Sequence, residues 1–387
     1  MRGAARRPRY ALLRPMTGPM SGQRSESVVA DRLASRKRAR PSASAAGLDP
    51  PGRDQRQPKI GLVLGGGGIL GGAWLVGALY ALTEATGWDP ASASHVVGTS
   101  AGSVVGALVA SEIPPWFLVH HQRGGDVNGM VDQHGRPIEA ADESSRRLFE
   151  WTGTVPRPIL GSPRLALRAT LRPWRYPGAA VLSGWLGRGF LSNEEVGRII
   201  GSLVADGWSQ HPNLWIVAVD YNSGKRVVFG APDAPPATLA EAVEASCAIP
   251  GLYRPVRIGG RPYVDGGAWS PSNADLLVRT DVDVVVVMNP MSSLHPGLPT
   301  GLLQRFDRRI RRATGRRLGH EARMLREAGK HVLLIQPREE DLTVMGVNMM
   351  DPSRRIDVLQ TAIRTVGSRL ADEDAQFVLA ELKRPSR

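Results

Sequence analysis

The chain has 387 residues, a formal net charge of +13, 42% hydrophobic residues and one cysteine. That length allows one large α/β domain or two ordinary ones, and the apolar content supports a substantial core without special staples. The lone Cys247 excludes an intramolecular disulfide and any cysteine-based zinc site.

The charge invites nucleic acid or an anionic membrane as partner, but it is unevenly spread. Residues 1–58 hold 13 Lys and Arg against 4 Asp and Glu, so +9 resides there and +4 in the rest. This stretch is rich in Arg, Ala, Ser and Pro, shows no sustained apolar period and reads as a disordered basic tail. Tyr10-Ala11-Leu12-Leu13 is too short for the apolar core of a secretory signal. Its Arg and Ser content is similar to that of a transit peptide, against which Glu26 and Asp31 count. The expected location is cytoplasmic; the tail reads first as an inert leader or an early start and second as a contact for anionic membrane, and nucleic acid is not the expected partner.

Order is expected from Lys59. Ile60–Leu64 is a short apolar run of buried-strand type. Gly65–Gly68 interrupt it, and Ile69–Leu82 suit an apolar helix. No charge occurs from Ile60 to Thr83, yet eight glycines, four of them consecutive, argue against a membrane span, where every backbone group needs an internal partner. A turn over Asp89–Ser94 precedes a second strand. Residues 113–190, rich in Pro, Arg, Gly and Trp, read as an inserted lid with short helices.

Regularity returns at Ser192-Asn193-Glu194-Glu195, the capped start of a helix reaching about Ala205. Asn213–Val219 reads as a strand, with Arg226–Phe229 its hairpin partner. A helix over Thr238–Ser246 and a strand ending at Tyr263-Val264-Asp265 follow. The valine run Asp283–Met288 marks a central strand covered on both faces. A long helix over Gln304–Ala328, a last strand over His331–Gln336 and two helices from about 352 and 372 close the chain. Strands alternating with helices predict a three-layer α/β/α sandwich with a mainly parallel sheet. The expected division is the tail (1–58), a catalytic domain (59–290) and C-terminal helices with the last strand (291–387) packed on that domain.

Three motifs carry chemistry. Gly98-Thr99-Ser100-Ala101-Gly102, between a strand and a helix, has the pattern of a nucleophile elbow. Gly66-Gly67-Gly68-Ile69-Leu70-Gly71 satisfies G-x-G-x-x-G. It reads either as a dinucleotide fingerprint, with Glu84 near the required acidic position, or as a set of amides for an oxyanion. Asp265-Gly266-Gly267 ends a strand. A serine, a carboxylate and clustered backbone donors are what acyl transfer requires.

With these motifs in this order, the sequence resembles the patatin-like phospholipase family. Ala245–Gly251 and the hairpin Asp220–Lys225 are also similar to family segments, and the likeness covers about 59–290 apart from the lid. The resemblance implies a serine lipid acyl hydrolase without a cofactor, acting on lipid esters in lipid catabolism through an acyl-enzyme. It makes Ser100 the nucleophile, Asp265 its base, and Gly66, Gly67 and Gly68 the oxyanion amides, with Gly71, Gly98, Gly102, Gly266 and Gly267 as motif glycines. Two departures stand out: Leu70 occupies a place where many members carry Arg or Lys, and the loop-to-helix spacing is one residue longer, at Gly72.

Other readings remain beside it. A Ser-His-Asp triad would use His295, His320 or His331, all of which follow Asp265. A nucleotide-binding oxidoreductase would use the glycine loop. A catalytically silent member would dock on membranes. The lid aromatics Trp116, Phe117, Trp151, Trp174, Tyr176 and Trp185, among many arginines, suit a lipid interface. The helix from Arg305 to Arg317, with seven arginines against Asp307, is a candidate contact for anionic headgroups.

Overall fold

The computed structural model describes residues 57–124, 162–171, 183–184, 186, 189, 191–204, 207–293 and 301–383. The tail to residue 56, most of the expected lid, and His295, Trp151, Trp174, Tyr176 and Trp185 lie outside these residues.

Eight strands form one sheet in the order β5-β6-β3-β2-β1-β7-β8, with β4 on β3. They are β1 (Ile60–Leu64), β2 (His95–Thr99), β3 (Leu214–Asp220), β4 (Arg226–Phe229), β5 (Val256–Ile258), β6 (Arg261–Asp265), β7 (Val284–Met288) and β8 (His331–Ile335). From β3 to β8 the pairs are parallel; β4, β5 and β6 are antiparallel additions. The helices are α1 (Gly68–Thr86), α2 (Ala101–Ala110), α3 (Pro115–Gln122), α4 (Pro163–Leu171), α5 (Glu194–Leu203), α6 (Leu239–Ser246), α7 (Leu302–Glu327), α8 (Glu339–Met345), α9 (Arg355–Leu370) and α10 (Glu373–Leu382).

Alternation along the central strands sorts the core into two layers. Leu62, Leu64, Val284, Val286 and Met288 join one cluster with α1, α2, α6 and α9. Val63, Val285 and Val287 join the other with Leu277, Leu318 and Leu325, the last two on α7. Both faces are covered, which is why these strands carry almost no polar residue and why the fold is the expected three-layer sandwich with a mainly parallel sheet. Helix α1, whose one charged residue is Glu84, is long and apolar enough to cross a membrane, and its large side chains Leu70, Trp74, Leu75, Leu79 and Leu82 are instead buried in the domain.

Local signals account for most boundaries. Thr238 and Glu241 form a reciprocal capping box at α6, each side chain bonding the other's backbone amide. At α5 the expected cap departs from its pattern: Asn193 holds the N-cap position, but its Nδ2 donates to the Glu244 carbonyl at 2.6 Å, tying α5 to α6. The sequence reading omits β5 and α8. Each is short, and β5 gains its pairing only from the Gly259-Gly260 turn to β6.

Candidate active site

The crossing from β2 to α2 is abrupt because Ser100 alone makes the turn, with φ 52° and ψ −125°. A non-glycine residue there costs on the order of 1–3 kcal/mol and persists only where its surroundings hold it. Three hydrogen bonds do so. The Ser100 amide donates to Ser246 Oγ at 2.9 Å, and the Ser103 amide and hydroxyl donate to the Ser100 carbonyl at 2.7 and 2.6 Å. Ser246 Oγ in turn donates to the Val217 carbonyl of β3 at 2.7 Å. The helix can sit this close to β1 because residue 102 lacks a side chain: a Cβ there would lie 2.0 Å from the Leu64 carbonyl oxygen. Gly98 lies within β2, paired with Leu64 on one side and Ile216 on the other.

Strand register brings the carboxylate to the serine. Thr99 pairs with Val217 and Asp265 with Ala218, the next residue of β3. Because β2 runs parallel to β3 and β6 antiparallel, the ends of β2 and β6 meet head to head. The Asp265 side chain lies beside Ser100 and accepts the Gly267 amide at 2.6 Å. Gly266 and Gly267 form the short turn after it. Burial pushes the Asp265 carboxyl up to about 6, and the neighbouring Ser100 hydroxyl and Gly267 amide oppose that shift. It therefore ionises near neutrality, in the range useful to a general base.

The glycine loop lies beside this pair, with Gly66 against the Ser100 Cβ. The amide of Gly66 donates to the Pro271 carbonyl at 2.9 Å and that of Leu70 to the Met349 carbonyl at 3.0 Å. The Gly66 amide thus anchors the loop to Pro271. Gly67 is the N-cap of α1 and Gly68 its first residue; the Gly71 amide donates back to the Gly67 carbonyl at 2.9 Å. Gly68 has φ +60°, and a Cβ there would stand 2.6 Å from Met350 Sδ. Leu70 is buried. The charge missing at that position has a counterpart behind the loop. Arg311 of α7, 1% exposed, donates to the Pro290 carbonyl and to Met349 Sδ and pairs with Asp307. Pro290 in turn packs on Gly67 and Gly71.

A second buried group fixes the loop after Asp265. Glu321 of α7 accepts the hydroxyls of Ser270 and Ser272 at 2.7 and 2.6 Å and the Ala274 amide at 3.1 Å, and pairs with Arg317 at 2.9 Å. The loop so held carries Pro271, the acceptor for Gly66, and Asn273, whose Nδ2 donates to Thr99 Oγ1 at 3.0 Å. One carboxylate thereby ties α7 to both the glycine loop and the elbow. In the sequence it is a glutamate within a charged helix, with no local signal.

The model of the family described as patatin-like phospholipase matches residues 62–278, which span the glycine loop, the elbow and Asp265. The chain belongs to the patatin-like phospholipase family. Among solved structures it is similar to VipD from Legionella pneumophila, at 15% identity and a TM-score of 0.33, over 84% of this chain and 74% of that one. It is also similar to a chain of the ExoU-SpcU complex from Pseudomonas aeruginosa, at 19% identity and a TM-score of 0.26, over 84% of this chain and 66% of that one.

In this patatin-like phospholipase, Ser100 opens into a cavity of about 310 Å³, at the lower end of the size usual for small-molecule sites. Val76, Val104, Leu108, Val196, Ile200 and Tyr253 give it a mostly apolar wall. Gly72, the extra residue of the spacing, also lines it. Helix α3, the first part of the expected lid, contributes Leu118, His121 and Gln122. Sequence reading missed His121, whose pKa is pushed below the usual range by burial and by the Arg355 guanidinium across the cavity. Cys247 also lines the cavity, 3.7 Å from Ser103 Oγ, and burial drives its thiol up to about 12, so it stays protonated.

The rival histidines lie elsewhere. His331 pairs with Val284 at the start of β7, the end of the sheet opposite Ser100, and packs on Phe377 at 4.5 Å. His320 is exposed on α7. Glu84 is exposed too, 16 residues into α1 and therefore roughly 24 Å from the glycine loop, too far to bind a ribose held there. Of the arginines of α7, Arg311 is buried and Arg317 pairs with Glu321, while Arg305, Arg309, Arg312 and Arg316 are exposed at the spacing of one helical stripe.

Proposed function

We propose that this lipid hydrolase is a serine acyl hydrolase of phospholipase A or esterase type, working through a Ser100-Asp265 dyad. The observation that carries the reading is the placement of Ser100 beside a buried carboxyl near pKa 6, in the wall of an apolar cavity. An acyl chain enters the cavity and its ester carbonyl comes to Ser100 Oγ. Asp265 takes the hydroxyl proton as the oxygen attacks. The amides of Gly67 and Gly68, at the positive end of α1, receive the oxyanion. Collapse expels the alcohol, which regains the proton from Asp265. Water then repeats the cycle on the acyl-enzyme, with Asp265 again as base.

No step calls on a cofactor. The enzyme acts in lipid catabolism, with peripheral contact to anionic membrane. Hydrolysis of a phospholipid and of a short-chain ester by the full chain tests the reading. Ser100→Ala and Asp265→Asn are each expected to lower both rates at least 1,000-fold, whereas His320→Ala and His331→Ala leave them within about twofold. Full activity in Ser100→Ala, or its loss in either histidine variant, would reverse the assignment.

A further inference from the structure

A second cleft, of about 350 Å³, lies on the other side of the segment 253–257, which gives Tyr253 to the acyl cavity and Pro255 and Arg257 to this one. Its wall includes Arg164, Arg257, Ser162 and Asn222 and, among the described residues, no carboxylate. Among the described residues neither arginine has an acidic partner; Arg257 Nη1 donates only to the Gly260 carbonyl, at 3.3 Å. Nearby Arg261, by contrast, is neutralised by Asp220.

Helix α4 borders the cleft. Its inner face buries Leu165 and Ala166, and Leu165 packs with Val264 and Ala268, on either side of the Asp265 turn. Its outer face shows Arg164, Leu167, Arg168 and Leu171, at the i, i+3, i+4, i+7 spacing of one helical stripe. Leu167 and Leu171 are 62% and 65% exposed, the most exposed large hydrophobic side chains among the described residues. Interleaved cations and leucines on one stripe match a surface where phosphates and acyl chains lie within a side chain's length of each other. A protein partner would need only one of the two, and a soluble anion would leave the leucines in water.

We propose that α4 and the Arg164/Arg257 cleft form a docking site for anionic phospholipid bilayers, distinct from the acyl cavity. Leu167 and Leu171 enter the acyl boundary, while Arg164, Arg168 and Arg257 hold lipid phosphates.

The test is sedimentation of the full-length Ser100→Ala chain with vesicles of neutral phosphatidylcholine, or of the same lipid with about 30% anionic phospholipid. Without turnover, the result is independent of the hydrolase reading, which short-ester hydrolysis by the otherwise native chain measures separately. Binding to anionic vesicles is expected to exceed neutral binding at least tenfold and to weaken with salt. Arg164→Gln with Arg257→Gln is expected to lower anionic binding roughly 10- to 30-fold, at about fivefold per cation. Leu167→Ser with Leu171→Ser is expected to lower it at least tenfold. Both pairs lie at the surface, and short-ester hydrolysis in the Ser100 background should stay unchanged. Wild-type vesicle binding by both pairs would overturn the proposal. So would loss only in an Arg309/Arg312/Arg316→Gln variant, which assigns docking to α7. Saturable binding of glycerol phosphate at the cleft without an effect on vesicles makes it a soluble-phosphate site. A change of mass in solution caused by the leucine pair makes α4 a contact between copies.

Discussion

Ser246→Ala perturbs the elbow without touching the reacting groups. Its hydroxyl is the one link between the Ser100 amide, 2.9 Å away, and the Val217 carbonyl, 2.7 Å away, and the side chain is fully buried. Alanine leaves a buried donor and a buried acceptor without partners, each costing on the order of 1–3 kcal/mol. It also removes one of the three bonds that hold Ser100 at positive φ. The alanine methyl fits the space, so the packing cost is small. The expected loss of stability is about 3 kcal/mol, which for a domain of this size lowers the thermal midpoint by at most roughly 6–12 °C. Ester hydrolysis should fall roughly 10- to 100-fold, mainly in kcat, since the nucleophile is displaced while the cavity is intact. Thermal unfolding and initial rates on a short-chain ester are the assays, with Ser92→Ala, at an exposed turn, as control. A Ser246→Ala enzyme with native midpoint and native kcat would refute the claim that this bridge fixes the elbow.

Two further outcomes follow from the same geometry. With the Asp265 carboxyl near 6, kcat/KM should rise with pH through about 6 and stay level above it, since the base must be ionised. The stability sign runs the other way. The fold holds this proton more tightly than the unfolded chain, so stability falls by roughly 3 kcal/mol between pH 4 and 6 and stays low above. Asp265→Asn removes that cost and should unfold later than the native enzyme at pH 8 while losing activity. An earlier midpoint at pH 8 would contradict the buried, uncompensated carboxyl. At Glu321, alanine strands two serine hydroxyls and the Ala274 amide and should destabilise by about 3–5 kcal/mol. Glutamine keeps the shape and should recover most of the stability, with kcat lowered about tenfold and KM unchanged. An unchanged kcat in Glu321→Gln would limit this residue to a structural role.

The three motifs around Ser100 were legible because each imposes a backbone demand that few residues meet. Gly102 must let the helix pass the Leu64 carbonyl, Gly68 must adopt positive φ, and the strands must run apolar on both faces. The meeting of Ser100 with Asp265 was legible only by family resemblance, since their 165-residue separation is closed by the register of β3 with β2 and β6. The groups that hold the site were not legible. Ser246, Glu321 and Arg311 act through bonds to residues distant in sequence, and nothing local distinguishes them from other polar residues on helices. The bond from the Gly66 amide was hidden for the same reason: its acceptor, Pro271, lies in a different loop.

Labelling with a fluorophosphonate probe, followed by mass mapping of the adduct, tests the Ser100-Asp265 account most directly. The reagent phosphonylates a serine only where a base and an oxyanion site activate it. The account predicts one adduct, on Ser100, absent in Ser100→Ala and slowed at least 100-fold in Asp265→Asn. An adduct on another serine, or native labelling of Ser100 in Asp265→Asn, would contradict it.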